Sequence, residues 1–292
     1  MSKTKKAVII GSVLVGIGVI IGFIGIAIGG FKFPNGAVDL TTMKALHAEK
    51  KTVQIADAFD KIEIAGASSM DIEICKSKTG KNYVEYYDTD DWTSHVDVKE
   101  HVLEFTTDDK GKHKAVVSLG FGKDTAARLY LADAEYKEIS VTTLSGYVTI
   151  QDVNAETVNV SASSGDLYMK NINAPDSIMA TSSSGDIDLE NATAKQIELG
   201  ANSGDIEMQD ITAESLRMST SSGDIDLESC DAEKFDITTS SGDVDMEITA
   251  GRTYRFETKT NSGAVDVPDG DADSDYLCKI VTSSGDVDVK QK

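Results

Sequence analysis

Carboxylates recur at fixed positions after glycine in the C-terminal half of this 292-residue chain. A Ser-Gly-Asp motif or a close variant appears eight times, and most copies carry a second acidic residue two positions after the first. Carboxylate oxygens are the ligands that a hard cation such as Ca²⁺ prefers, so the pattern predicts a surface that binds cations or cationic ligands. The candidate cation-binding residues are Asp166, Asp186, Asp188, Asp205, Glu207, Asp224, Asp226, Asp243 and Asp245.

The same residues also have a purely structural interpretation. Glycine adopts the special backbone angles of turns, while Ser and Asp side chains hydrogen-bond local amides. Charged faces also protect a repetitive β-protein from association. Like charges about 4.8 Å apart repel by about 0.9 kcal/mol even in water, so some interaction must compensate the repeated acids. Both interpretations stay open at this point.

No other residue pattern points to chemistry. The four histidines have no metal-ligand spacing, and the three cysteines include no CxxC pair. Polysaccharide-cleaving β-helix enzymes use two or three carboxylates, but a catalytic pair needs environments that separate its pKa values, whereas these acids recur identically. We therefore predict that the protein is not an enzyme and has no organic cofactor. The alternative is a carbohydrate-active β-helix enzyme that acts on cell-wall glycan.

The glycines of the motif have a near-constant spacing of 19 to 22 residues. Self-similarity at such a period is the signature of a repeat architecture in which each unit stacks on its neighbours. Two copies depart from the motif, because Tyr147 and Ala264 replace the aspartate. The turn glycines are Gly146, Gly165, Gly185, Gly204, Gly223, Gly242, Gly263 and Gly285.

Apolar residues alternate with polar ones on both sides of each turn. Around Gly204, Ile197 and Leu199 precede the turn, and Ile206 and Met208 follow it. This period of two indicates two strands that each have one apolar face. A long antiparallel meander would leave that face uncovered, whereas in a β-solenoid the two strand rows face each other across a thin core.

The sequence therefore predicts an all-β fold with a β-solenoid of about eight units over residues 141–292. Residues 57–140 carry shorter alternating runs and are predicted to form an irregular β N-terminal part of the same module. Cys230 and Cys278 occupy apolar positions of the repeat and are expected to be buried thiols.

The last unit is expected to lie at the end of the stack. The sequence ends within a few residues of the Gly285 turn, so that unit should present an uncapped edge strand. Lys290 and Lys292 are expected to guard this edge against association.

Residues 7–31 form an uncharged apolar run of 25 residues, long enough for a single transmembrane helix. Lysines are concentrated in residues 1–6, which predicts a cytoplasmic tail and an extracytoplasmic repeat module in a single-pass cell-membrane protein. Residues 32–56 are interpreted as a juxtamembrane spacer. A cleaved signal peptide is the alternative. Two pairs with GxxxG spacing would allow helix contact in the bilayer, Gly18/Gly22 and Gly25/Gly29.

The acidity is confined to the C-terminal half of the chain. The net charge is −21, and residues 141–292 hold 29 acidic and 10 basic residues, which leaves −19. Phosphate backbones repel such a surface, so nucleic acid is excluded as a partner. The remaining partners are the membrane, through the N-terminal helix, and an envelope protein or another cationic ligand.

The repeated segments resemble a known bacterial family. Ser184 to Leu189 and Ser222 to Leu227 read Ser-Gly-Asp-hydrophobic-Asp-hydrophobic. This pattern, which follows one N-terminal apolar segment, is similar to the β-strand-repeat family of candidate adhesins that includes LiaG-like, toast-rack-type envelope proteins. The similarity covers about residues 55–292. It implies an extracytoplasmic module with adhesive or envelope-stress roles and carries over no catalytic or binding residues. We therefore expect a membrane-anchored binding or scaffold protein of the cell envelope.

Overall fold

The computed structural model describes residues 37–39, 44–45, 48–67, 70–89, 92–109, 116–118, 126–249 and 251–292. This described part is all-β and contains no helix, hence none that could cross a membrane. The predicted transmembrane helix with Gly18, Gly22, Gly25 and Gly29, and the predicted cytoplasmic tail, lie outside the described residues. The strands are β1 (Ala37–Asp39), β2 (Lys44–Ala45), β3 (Ala48–Gln54), β4 (Lys61–Ala67), β5 (Ile72–Lys76), β6 (Tyr83–Thr89), β7 (Trp92–Lys99), β8 (Val102–Asp109), β9 (Val116–Ser118), β10 (Ala127–Leu131), β11 (Glu135–Thr143), β12 (Val148–Ala162), β13 (Leu167–Ser182), β14 (Ile187–Ala201), β15 (Ile206–Thr220), β16 (Ile225–Thr239), β17 (Val244–Ile248), β18 (Arg255–Lys259), β19 (Val265–Asp266), β20 (Leu277–Val281) and β21 (Val287–Gln291).

The strands belong to two compact units. In the smaller unit, β1 pairs antiparallel with both β2 and β9, and Val38 is the register partner of Val117. The larger unit holds the repeats. In it, β11 to β16 each pair in parallel with the next strand along the chain. Parallel neighbours require a crossover connection, and each coil of the solenoid is itself that connection. We name each coil after the residue in the glycine position of its turn.

Each coil contributes three inward-facing rows of side chains to the core. Along β13, Leu167 and Met169 point inward, followed by a row with Ile172 and a row with Ile178, and all four are almost fully buried. The predicted two-row core is therefore incomplete. The additional row lies seven and nine residues after the glycine and consists mainly of small side chains. The apolar residues predicted to face inward on either side of the Gly204 turn do so, and Cys230 and Cys278 are buried in the interior as expected.

A left-handed corner creates this additional row. The residue six positions after the turn glycine has φ between 52 and 56° in five coils. Asn and Asp tolerate this region better than other residues with a Cβ. Asn191 donates a hydrogen bond to Asn171 at 2.7 Å, and Asn171 donates to Asp152 at 2.6 Å. The corner residues are Asp152, Asn171, Asn191, Asp210 and Ser229.

The turn glycines stack directly on one another. A Cβ at Gly165 would overlap the carbonyl oxygen of Gly146, and a Cβ at Gly204 would overlap that of Gly185. Among the turn glycines only Gly146 has positive φ, so close stacking rather than a special turn angle explains most of them. A hydroxyl three residues before the glycine binds the adjacent coil, as when Ser182 of the Gly185 coil donates to the carbonyl of Gly165 at 3.2 Å.

Two further coils lie at the N-terminal end of the stack. β4 and β5 form the Met70 coil, which pairs in parallel with β11 and β12 on one side and with β8 and β10 on the other. Antiparallel strands close this end, because β7 pairs with β8 and β6 with β10. Along the chain, the inner Met70 coil with β4 and β5 thus comes before the outer coil with β8 and β10. The chain then returns to β11, next to the Met70 coil, and continues the stack.

The C-terminal end shows a similar exchange of order. β20 and β21 form the Gly285 coil, which lies between the Gly242 coil, with β16 and β17, and the Gly263 coil, with β18 and β19. The expectation that the Gly285 coil ends the stack and exposes an edge guarded by Lys290 and Lys292 is therefore wrong. The Gly263 coil is outermost among the described residues. The last two glycine spacings are longer, and the extra residues allow the chain to pass to the outer coil and return to the inner one.

Candidate functional site

The aspartates that follow the turn glycines form a hydrogen-bonded column. Oδ1 of each accepts a hydrogen bond from the backbone N–H of the aspartate one coil further along the stack, at 2.8 to 3.0 Å between Asp166 and Asp243. Adjacent coils are thus linked at the turn, and one oxygen of each carboxylate is partly compensated by an amide. The structural interpretation holds for this column, with amides of the neighbouring coil in place of local ones. Its members are Asp166, Asp186, Asp205, Asp224 and Asp243.

The column explains one of the two departures from the motif. Asp243 accepts from the N–H of Asp286 at 2.7 Å, and Asp286 accepts from that of Ala264 at 2.7 Å. Ala264 belongs to the outermost described coil, so no further amide in the described stack requires a carboxylate from it. At the other end, Tyr147 donates its N–H to Asp71 at 2.9 Å.

A second column of acids lies two residues further on, along the outer face of the same strands. Asp188, Glu207, Asp226 and Asp245 are register neighbours on β14 to β17. They line an open groove of about 610 Å³. The acids five residues after the glycine extend the same lining, and the sequence analysis overlooked them although they share the outward phase of the strand. These additional acids are Glu190, Glu228 and Glu247.

Burial and mutual repulsion raise the pKa values of two groove carboxyls. Burial is the larger cause for Asp188, followed by repulsion from Glu207, and together they raise its pKa to about 6. Burial and then the neighbouring Asp245 raise the pKa of Asp226 as well. The carboxylates of Asp188, Glu207 and Asp226 make no hydrogen bond or ion pair with other described residues. Lys290 also lines the groove but pairs with Asp288, so these three charges have no direct partner in the described part of the chain.

One end of the groove differs electrostatically. Glu190 accepts a hydrogen bond from the hydroxyl of Tyr168 at 3.0 Å and forms an ion pair with Lys170. The contact with Lys170, followed by that with Tyr168, lowers the pKa of Glu190. Asp188, two residues earlier on the same strand, has a raised pKa instead. The two carboxyls therefore have different proton affinities, although the sequence pattern treats all the repeats alike.

The groove acids are distributed along the stack. Within the described ranges, no three His, Cys, Asp or Glu side chains converge as ligands around one point. The nine predicted cation-binding residues instead fall into the two columns, five in the turn column and four in the groove. The arrangement suits contact with an elongated cationic ligand, since positive groups along it can meet carboxylates of successive coils.

The stacked parallel coils with external side-chain columns define a β-solenoid repeat protein. The chain belongs to the Toastrack family, DUF4097, whose family model matches residues 59–290. The toast-rack resemblance read from the sequence is thereby confirmed. No curated protein shows significant similarity to the chain.

Two crystal structures have a similar fold. The first is a candidate adhesin of Bacteroides fragilis, with 18% sequence identity, a TM-score of 0.52, and coverage of 84% of this chain and 97% of that one. The second is a candidate lipid-binding protein of Parabacteroides distasonis, with 17% identity, a TM-score of 0.51, and coverage of 83% and 96%. At these identities the similarity establishes the fold.

Proposed function

We propose that this chain is a binding or scaffold protein of the bacterial cell envelope without catalytic activity, adhesin-like or accessory to envelope stress. In this proposal residues 7–31 anchor it in the membrane, the N-terminus is cytoplasmic and the solenoid is extracytoplasmic. The apolar run with its preceding lysines supports the anchoring. The fold shared with a candidate adhesin supports a binding role.

The observation that carries the binding role is the groove with its uncompensated carboxylates. A cationic ligand would offset the mutual repulsion that, after burial, raises the pKa values of Asp188 and Asp226. We infer that the ligand is the basic segment of an envelope protein, since a rigid solenoid presents carboxylates at a regular spacing of about 4.8 Å per coil. Ca²⁺ is the inorganic candidate for the same relief.

An oligolysine peptide tests this proposal with the purified full chain. Replacing Glu207, Asp226 and Glu228 together by Gln, Asn and Gln should weaken binding about tenfold, because three exposed ion pairs of about 0.5 kcal/mol each are lost.

The matched control removes three carboxylates from other exposed positions, in the variant Glu198→Gln, Glu214→Gln and Glu233→Gln. This variant has the same net charge as the groove variant and should bind nearly as well as the original chain. Equal weakening in the two variants would show that net charge alone attracts the peptide, and the groove proposal would fail.

A carbohydrate-active enzyme is the second candidate, and one observation favours it. Asp188 has a raised and Glu190 a lowered pKa, which is the separation that an acid and its partner carboxylate need. If the chain releases reducing ends from a cell-wall glycan preparation and Asp188→Asn abolishes the release, the enzyme assignment replaces the binding one. If the purified full chain releases no reducing ends from this preparation, the enzyme candidate is eliminated.

A further inference from the structure

The last two coils form a terminal unit that connects to the rest of the solenoid through one linker. The unit runs from Tyr254 to Gln291 and contains β18 to β21. Within it, β18 pairs with β20 and β19 with β21. β20 and β21 also pair with β16 and β17 of the preceding coil. The unit is therefore a stack of two coils that docks on the body through the strands of its inner coil and through Tyr254, which packs on Phe235.

The junction between body and unit has shorter strands than the junctions inside the body. In the body, β12 to β16 have 15 or 16 residues each and pair along most of their length. At the junction, β17, β20 and β21 have five residues each. The row that starts seven residues after the glycine is also interrupted, because the chain leaves the coil after Ile248. The two ladders of this junction, β16–β20 and β17–β21, have five register pairs each, and the missing third row removes buried contact, so we expect local opening here.

The linker combines a glycine with contacts to the body, because Thr249 donates to the carbonyl of Cys230 at 3.1 Å and Arg252 forms an ion pair with Asp231. Thr249, Gly251 and Thr253 are exposed, and Gly251 has φ of 120°, with open space where a Cβ would lie. Glycine at positive φ interconverts with other conformations at little cost. The linker also skips one level of the stack, because the Gly285 coil occupies the position next to the Gly242 coil.

The terminal unit docks on the body through the same kinds of contact that join neighbouring coils inside the body. Asp243 accepts the N–H of Asp286, the hydroxyl of Thr282 donates to the carbonyl of Gly242 at 3.3 Å, and Lys279 pairs with Asp236 at 3.0 Å. The hydroxyl of Tyr254 donates to the carbonyl of Ala232 at 2.7 Å. Every one of these bonds can form equally well when the unit comes from another copy of the chain.

We propose that the terminal unit exchanges between two copies, so that Tyr254–Gln291 of one chain docks on β16 and β17 of the other. Exchange conserves the bonds of the junction and changes only the linker, which is why swapping of an identical element is a low-cost route to a dimer. The partner surface is thus a second copy of this chain. The proposal is independent of what the acidic groove binds.

Cysteine pairs across the junction test the exchange. Asp236 and Lys279 are register partners on β16 and β20, at the spacing of about 4.8 Å between neighbouring strands that a disulfide can bridge. Full chains with Asp236→Cys or Lys279→Cys, both in a Cys75→Ala background, are mixed equally, opened in mild urea, returned to buffer and oxidised. Exchange predicts a covalent dimer, since about half of the dimers that form at random are mixed and each mixed dimer contains one facing cysteine pair.

The matched control replaces Asp236→Cys by Arg217→Cys, one coil further from the unit. This mixture should give no covalent dimer above the level of either variant alone. The double variant with both cysteines in one chain should form an internal disulfide, which verifies the register. Absence of dimer in the first mixture, or equal dimer in both mixtures, overturns the proposal, because the second result would indicate unspecific contact.

Discussion

Asp188 is the groove residue whose charge is most costly to the folded protein. Its folded pKa of about 6 lies above the ordinary value for an unfolded aspartate. A raised folded pKa means that the penalty for ionising Asp188 builds up between the unfolded pKa of about 4 and the folded pKa of about 6, is complete above pH 6, and is absent below about pH 4. Asp188→Asn should therefore raise the free energy of unfolding by about 1 kcal/mol at pH 8, after allowance for solvent screening, and change it little at pH 4. Urea unfolding at the two pH values measures the difference. An equal gain at both would show that the effect is not electrostatic.

Gly204 illustrates the steric requirement of the turn column. Replacing Gly204 by Ala would force a Cβ into the carbonyl of Gly185, where the nearest atoms are backbone atoms of Gly185 and Asp186 and no flexible side chain can move aside. We expect a loss of about 3 kcal/mol in the free energy of unfolding, at the upper end of overpacking costs. Gly200→Ala is the matched control, because its Cβ would make only ordinary side-chain contacts. Thermal unfolding should separate the two variants clearly, and similar midpoints would contradict close stacking as the reason for glycine.

At the scale of the coil, the acidic columns allow a test of Ca²⁺ binding. If cations bind there, CaCl₂ should raise the thermal midpoint more than NaCl of matched ionic strength, because a ligand of the folded state stabilises by mass action while screening is unspecific. Asp186, Asp205 and Asp224 changed together to Asn should lose this selective rise. Asn keeps a side-chain oxygen to accept the amide of the next coil, so folding is expected to survive. Equal shifts with the two salts would identify the columns as structural and solubilising.

The regular coils could be predicted from the sequence because the spacing of glycines and of apolar residues specifies them. The glycine interval predicts the coils, and the alternation around Gly204 correctly predicts which side chains face inward. The Met70 coil was missed since Met stands where other turns have glycine, and its turn lies at the end of the glycine column. The inward position seven residues after the glycine follows from the repeat, since the apolar residues there correctly predict that Cys230 is buried, whereas the left-handed corner before it was not predicted. The raised pKa of Asp188 depends on burial, which a repeat alignment does not contain.

The order of the coils along the stack could not be predicted from such patterns. The spacing of the glycines gives the length of each coil. It does not specify which coil is the neighbour of which in the stack. The spacings of 21 and 22 residues before Gly263 and Gly285 are the one sequence signal of the crossing. Both ends therefore depart from the simple order, whereas the middle of the solenoid follows it.

At the scale of the whole molecule, the charge distribution and the apolar segment predict one orientation. The repeat module carries 29 of the 49 acidic residues. Anionic lipid head groups would repel it, which favours extension of the module away from the membrane. In cells stripped of their wall, external protease should degrade the repeat module while a cytoplasmic marker protein stays intact. Detergent lysis should then expose the marker as well. Protection of the repeats until lysis would reverse the topology, and release of an intact module into the medium without protease would indicate a cleaved signal in place of the anchor.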